Sequence, residues 1–473
     1  MVNRLEQYLL DAQGKNKEEI SSNNPYRKIG FDGEKKRLGW VRITPFNLIK
    51  ESLSAVEPIL KGKESFIFIG MGGSINGIKT LFYLFKGHKL FTLDSLDPAA
   101  INATLKKIKD INKTLVVSIS KSGTTQETQL LSSALREIFG DNWQKHFLWL
   151  VDPSAFEKID SLGWQGAQRR PIQFDAETDV GGRFSCPHTL IFFLPLFLLL
   201  KQDLNKLKQI YDIYLSSLEN VRHEAYLFAD KYKNKEPAYF LPQVKGRFGE
   251  RFSSWIVQLF QESLGSKEEG FCIKTTCLLK KKNSLFLPVE LKARIANPVA
   301  SLMGQMYFFE AFIAFYSAFK DINFVDQEFV EKYKETMRKI EGSKTDDITL
   351  LDLKQIIKEV KKKISAKQKF MEVVLYFYPS KELVGKVNKE FSKAFSDRMV
   401  FVFVGSDWNH HSYQAAFAEK NTFYVFLLAS SYNNRVKNIS QATLVKNIEK
   451  LKIISKATYL TLEDKSLLFR LAQ

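Results

Sequence analysis

The sequence predicts an α/β protein built on doubly wound parallel sheets, and three observations lead there. Short, uniformly apolar runs recur along the chain. Amphipathic stretches of helical length separate them. The alternation occurs twice, from about Trp40 to Leu200 and again beyond about Pro237. Strands that are apolar throughout are buried on both faces, which is how a parallel sheet between helical layers reads.

In chain order, Ser65–Gly70 (SFIFIG) predicts a strand ending in glycine, Asn76–Phe85 a helix and Lys89–Leu93 a second strand. Thr114–Ile119 (TLVVSI) predicts a strand, Gln126–Phe139 a helix and His146–Val151 (HFLWLV) another strand. The greasiest stretch, Leu190–Leu200, has 11 residues and a proline. It is about half of what crosses a bilayer, so it reads as a buried helix. A charged helical connection follows at Gln202–Lys235, then a short strand at Pro237–Leu241. Helices are expected at Ala300–Lys320 and Gln327–Ile340, with a Lys-rich, solvated one at Asp352–Lys369. Strands at Met371–Tyr378, Met399–Val404 and Thr422–Leu428 complete the second set, with a helix and a strand after Ser430. The expected organisation is an arm at residues 1–40, a first domain at 41–230, and a second at 231–473 with a helical insertion around 327–369. In such open sheets ligands sit at the carboxyl ends of strands.

A chain of 473 residues with 45% apolar content suits two domains with sizeable cores. No repeat of 20–50 residues stands out. Met1–Ile20 is polar and charged and does not read as a secretory signal. The three cysteines, Cys186, Cys272 and Cys277, form no Cys-x-x-Cys pair, so neither a disulfide framework nor a zinc site is supported. A reducing, cytoplasmic setting is the expectation, with no membrane partner. The net charge of +18 invites a nucleic-acid reading. However, the lysines are spread over the whole chain, with only local runs at Lys280–Lys282 and Lys361–Lys363. No nucleic-acid signature accompanies them, so a solvated basic surface, which also attracts small phosphorylated molecules, is the reading adopted.

Two strand-to-helix turns carry the chemistry. The first is Gly70-Met71-Gly72-Gly73-Ser74, and the second is Ser120-Lys121-Ser122-Gly123-Thr124-Thr125-Gln126-Glu127-Thr128. Helix N-termini present unpaired N–H groups and a positive dipole, which suits phosphate. Helix capping needs one hydroxyl, whereas the second loop supplies four within six residues. The spacing is not that of a Walker loop, and Gly70–Ser74 alone is a weak dinucleotide signal.

The GMGGS turn and the SISKSGTTQET loop resemble the sugar-isomerase (SIS) fold, and further segments resemble the phosphoglucose isomerase family. These are Asp179–Ser185 (DVGGRFS), Gln258–Lys267 (QLFQESLGSK), Leu302–Glu310 (LMGQMYFFE), and Asp326-Gln327 followed by Lys334. The resemblance implies two SIS-type domains with five-stranded parallel sheets flanked by helices. It implies reversible isomerisation of glucose 6-phosphate and fructose 6-phosphate through a cis-enediol, without cofactor or metal. It also assigns roles. Ser120, Lys121, Ser122 and Thr125 hold the phosphate, while Gly73 and Ser74 line the sugar. Arg183 steadies the enediolate, Glu262 carries the proton between C1 and C2, Gln258 and Gln327 contact the substrate, and Lys334 assists near the ring oxygen and phosphate. A base for this step must sit near neutral pH, and the enediolate needs a fixed cation or donors.

The histidine departs from the family pattern. None lies between Ser263 and Asn409; the six are His88, His146, His188, His223, His410 and His411. The segment Gly405–Gln414 (GSDWNHHSYQ) resembles the family's histidine–serine–glutamine element, with His411 as the aligned ring-opening residue and His410 as its alternative. Adjacent histidines rarely chelate one ion, so no metal is expected. The resemblance further implies a homodimer, with the histidine segment the piece to come from the other chain. Mannose 6-phosphate isomerisation is a close variant. The alternative in another class is a non-catalytic sugar-phosphate sensor, which would dispense with the base or the arginine.

Overall fold

The apolar runs of the first half lie side by side. The computed structural model describes residues 3–235, 239–244, 249–265, 274–275, 286–326, 328–342 and 347–472. Strands β1 (Ser65–Ile69), β2 (Leu90–Leu93), β3 (Thr114–Ile119), β4 (Phe147–Val151) and β5 (Gln168–Pro171) form one sheet in the order β2-β1-β3-β4-β5. Every pairing in it is parallel. All residues of β1, β3 and β4 are buried, as their uninterrupted apolar sequence requires. The edge strand β5 (QRRP) has no apolar signature, because an edge is only partly covered. Helix α1 (Asn76–Tyr83) begins soon after β1, and α2 (Gln126–Phe139) soon after β3, so both start at the carboxyl edge of the sheet.

A helical layer follows: α3 (Leu190–Leu199), α4 (Leu204–Tyr232), α5 (Gly249–Leu264) and α6 (Pro298–Lys320). Leu190 to Leu198 are buried without exception, which accounts for the greasy run and its proline. The 29-residue α4 packs along α6. Among the described residues, α6 is the one helix long and apolar enough to cross a membrane, and 94% of its most apolar window is buried inside this fold. Asn297 caps it through the N–H groups of Val299 and Ala300.

The strands of the second half divide between two sheets. β6 (Tyr239–Gln243), β7 (Lys274–Thr275) and β8 (Leu287–Glu290) form a small parallel sheet in the order β8-β6-β7. Helix α7 (Glu328–Lys339) leads to a five-stranded parallel sheet. It contains β9 (Leu350–Leu351), β10 (Phe370–Leu375), β11 (Met399–Val404), β12 (Thr422–Ala429) and β13 (Ser466–Leu471), in the order β9-β13-β12-β10-β11. Helix α8 (Gln441–Thr461) joins β12 to β13. The division follows the aromatic packing. Phe240 of β6 faces Phe260, Phe312 and Tyr316 of α5 and α6, while Tyr239, Leu241 and Phe286 reach across to Phe370. The Lys-rich helix is Leu353–Lys363, shorter than expected, with Asp352 and Gln355 forming a capping box at its start.

Phe312 is fully buried and stacks on Phe260 and Tyr316. Phe312→Ala is therefore expected to lower the free energy of unfolding by about 3–5 kcal/mol. Urea denaturation checks this, with an unchanged m-value marking a loss of packing rather than of cooperativity.

Candidate active site

The carboxyl edge of the first sheet opens into a cavity of about 830 Å³, walled also by the Arg183 turn, α5, α7 and the turn after β11. Ser122, Thr124 and Thr125 of the second loop line it. The loop turns at Gly123, whose φ of +66° an L-residue rarely adopts and where an added Cβ would press on Ile159 at 3.1 Å. Its hydroxyls bond one another rather than capping α2. Ser120 Oγ donates to Thr125 Oγ1 at 3.1 Å, and Ser122 and Thr124 share a bond of 2.7 Å. Thr125 makes no side-chain cap, so the dipole end of α2 stays open to an anion. Lys121 lines the cavity, but its ammonium donates to the carbonyls of Thr178, at 3.0 Å, and Val180. It thus ties the loop to the segment leading to Arg183. Burial, reinforced by Arg37, pushes its pKa down to about 8.

Arg183 sits in a tight helical turn, Gly182–Phe184, and is 2% exposed. Its Nε donates to Ser263 Oγ at 2.7 Å and its Nη2 to the Phe324 carbonyl at 2.6 Å. Nη1 lies 3.3 Å from Glu262 Oε1. On α5, Gln258 stands one turn before Glu262, and its Nε2 donates to Glu262 Oε2 at 2.8 Å. Both oxygens of this buried carboxylate are therefore oriented, one by a guanidinium and one by an amide. The same Gln258 nitrogen reaches the His410 carbonyl at 3.0 Å, so Gln258 organises the site as well as lining it.

The glycine turn is where these parts meet. Gly72 has a φ of +54°, and a Cβ there would lie 2.8 Å from Gln258 Nε2 and 3.0 Å from His410 Cβ. At Gly73 a Cβ would fall 2.2 Å from the Gly182 carbonyl oxygen. Gly73 and Ser74 do line the cavity. In both glycines the missing side chain is what lets backbone and catalytic candidates approach.

The structure places the two histidines differently. The short helical turn Ser406–His410 ends at His410, which lines the cavity and bonds through Nε2 to Glu127 Oε1 at 2.9 Å. Burial alone would lower the His410 pKa, but the Glu127 carboxylate outweighs it and raises it. Likewise burial pushes Glu127 up, and His410 pulls it below the usual carboxylate range. Each partner thus favours the charged form of the other. His411 is buried away from the cavity, bonded to Ser412 at 2.6 Å beside Phe403, and burial drives its pKa down to about 4. The alternative of the sequence reading, His410, is thus the histidine brought to the other candidates, because consecutive side chains at the end of a turn point apart.

Lys334 lines the cavity from α7, paired with Glu331 at 2.6 Å. Gln327 lies outside the described residues. Sequence reasoning missed the role of Glu127 as the partner of His410, although it stands in the quoted loop. It also missed Asp407 and Asn409 within the histidine segment. Arg37 and Asp152 line the cavity on the side of the hydroxyl loop as well; Arg37 belongs to an arm with no motif, and Asp152 simply follows β4. Among the described residues, no group of three or more His, Cys, Asp or Glu side chains is disposed to hold a metal.

Residues 59–207 match the family model of phosphoglucose isomerase. Over that span the chain is phosphoglucose isomerase-like. The match contains the glycine turn, the hydroxyl loop and the Arg183 turn, and it bears out the resemblance read from them. Glucose-6-phosphate isomerase of Campylobacter jejuni is 30% identical over 237 residues, covering 48% of this chain and 56% of that protein. The enzyme of the same name from Thermus thermophilus is 30% identical over 235 residues, covering 46% and 52%. The chain thus spans little more than half the length of these two relatives. A third, from Methanocaldococcus jannaschii, is 25% identical over 296 residues, covering 59% and 68%. Among solved structures, a hypothetical protein from Thermus thermophilus superposes with a TM-score of 0.51 at 21% identity, over 71% of this chain and 94% of that one. That is a likeness of fold.

Two outcomes are expected. Gly73→Ala should lower stability by about 1–3 kcal/mol through overpacking against Gly182 and weaken sugar-phosphate binding, read by thermal melts and titration. The Glu127–His410 pair should stabilise the fold most between the ordinary glutamate and histidine values of 4.5 and 6.5. The Glu127 part is lost as pH falls through its depressed value. The His410 part is lost as pH rises through its raised one. Urea titrations across pH should show this dependence in the wild type and a flattened one in His410→Gln.

Proposed function

We propose that this protein interconverts glucose 6-phosphate and fructose 6-phosphate. The observation that carries the reading is the Glu262 carboxylate, gripped by Arg183 and Gln258 in a cavity it shares with the hydroxyl loop and the Glu127–His410 pair. The loop and the open end of α2 anchor the phosphate and so fix the sugar chain relative to Glu262. His410 carries the proton that the ring oxygen needs on opening, with Glu127 holding its ring in place. Glu262 removes the proton from C2 of the aldose and returns it to C1. The hydroxyl proton moves between O1 and O2, so the atoms balance with no external acceptor. Arg183 lies 3.3 Å from that carboxylate, where it faces negative charge spreading onto the enediolate oxygens. Lys334 adds positive charge from α7. The substrate class is supported by the names of the relatives, by the hydroxyl loop, and by a carboxylate and a cation in contact. Mannose 6-phosphate differs from glucose 6-phosphate only at C2 and belongs in the same assay.

The test is fructose 6-phosphate turnover, coupled to oxidation of the glucose 6-phosphate formed, with EDTA present. Glu262→Gln is expected to lose at least about 10²-fold in kcat, and His410→Gln a comparable factor, as removal of acid–base groups does. His411→Gln should stay within about threefold, since its ring is outside the cavity. Wild-type protein that binds the sugar phosphate without turning it over would replace this reading with the sensor.

A further inference from the structure

We propose that Asp152 recognises the phosphate of the substrate by its proton: Oδ1 shares one hydrogen with a phosphate oxygen, so the hydroxyl loop takes a phosphate and rejects a sulfate. The inference rests on the isomerase reading above, in which that loop anchors the phosphate. It adds a specificity-determining residue to the site.

Asp152 follows β4 at the carboxyl edge of the first sheet, and its N–H donates to the Lys121 carbonyl at 2.9 Å. That bond sets the residue against the hydroxyl loop, and it lines the cavity with Ser122, Thr124 and Ser154. An aspartate placed here has two ordinary uses for its carboxylate. It precedes the short helical turn Pro153–Ala155, where it could cap, yet it makes no side-chain cap. It stands near Lys121, where it could pair, yet Oδ2 lies 3.9 Å from an ammonium already bonded to the Thr178 and Val180 carbonyls. The residue is 7% exposed, and among the described residues Oδ1 has no hydrogen-bond partner. A buried acceptor left unpaired carries the full cost of its desolvation, which a donor arriving in the cavity removes.

The surrounding charges identify that donor. Lys121, Arg37 and Lys35 are the charged groups that face Asp152, and all three are cations. Asp32 and Asp179 bear on Lys121. Arg37 is braced by the Thr178 carbonyl at 2.9 Å and by Asp32 at 3.0 Å. Cations and hydroxyls attract any oxyanion and do not tell phosphate from sulfate. A carboxylate among them does. It repels an oxyanion that has no proton, and it accepts a charge-assisted hydrogen bond from a P–OH. Burial lifts the Asp152 pKa to about 6, against the pull of the three cations. A phosphate monoester loses its second proton at a pH of about 6 as well. Carboxyl and ester therefore hold one proton between them on nearly equal terms. Inorganic phosphate keeps a P–OH across the neutral range, whereas sulfate has none to give.

The experiment measures how inorganic phosphate and sulfate displace fructose 6-phosphate, by calorimetric titration at pH 6.5 and constant ionic strength. Wild-type protein should hold phosphate at least about tenfold more tightly than sulfate, as one hydrogen bond to a charged group allows. In Asp152→Asn the amide donates to either anion, and the preference should fall to within about threefold. A wild type that binds the two alike overturns the proposal without recourse to a variant. So does a variant, shown to be folded by thermal melt, that keeps the wild-type preference. The sugar phosphate gives a second readout. Its Kd in the wild type should rise by at least about threefold between pH 6 and 7.5, because the shared proton is lost as pH climbs. The window stops short of Lys121, pushed down to about 8, whose deprotonation also weakens anion binding. Other titrating groups of the cavity remain in Asp152→Asn, so the difference between the two curves belongs to Asp152. An equal rise in the variant overturns its role. Both readouts are binding measurements and stand apart from turnover. Discrimination without isomerisation fails the isomerase reading alone, and isomerisation without discrimination fails this inference alone.

Discussion

The site depends on two backbone positions that carry no side chain. Gly72 and Gly73 sit where the end of β1, the Arg183 turn, α5 and the His410 turn converge, and the approaches there are closer than a Cβ tolerates. Gly73 admits the backbone of Gly182, which sets where Arg183 enters. Gly72 admits Gln258 and His410 and presents its N–H to Asp407. A constraint of this kind is steric and short-ranged, so it fixes relative placement to a few tenths of an ångström with no flexible group in between. The proton-transfer geometry proposed for Glu262 and His410 inherits its precision from it.

The parallel sheet supplies the second condition. Strands running the same way put all their outgoing turns on one edge, and the helices that follow start there with unpaired N–H groups. The hydroxyl loop exploits this at α2, and the cavity gathers both signs of charge around it. Opposite charges are paired at contact distance, Arg183 with Glu262 and His410 with Glu127. Pairing makes burial of these groups tolerable, and it leaves each acid or base oriented rather than mobile. The Lys121 ammonium, drawn to two carbonyls, ties the hydroxyl loop into the same architecture.

Much of the fold was legible because it rests on local pattern. β1, β3, β4, β10, β11 and β12 are apolar runs, and α2 matches its predicted span. Where the pattern is weak the reading failed. β5 is a polar edge strand, and the helix Lys381–Ala394, capped by Ser380, went unread. The separation of β6–β8 from β10–β13 could not be foreseen either, since it follows from which aromatic faces meet in space. Helices α7 and Leu353–Lys363 fall within residues 327–369, and their junction with β9 is a matter of register.

For the site, the sequence by itself determined the inventory: a glycine turn, a hydroxyl loop at a helix start, a buried arginine after paired glycines, and a glutamate on an apolar helix. These survive because each is a short motif whose geometry is set by neighbours in the chain. Which of two adjacent histidines faces the cavity was decided only by the tertiary structure, through Asp407 bonding Gly72 and Asn409 bonding Thr458. So was the pairing of His410 with Glu127, 283 positions away. Contacts of that range depend on how sheets and helices pack, and no local periodicity or spacing records them.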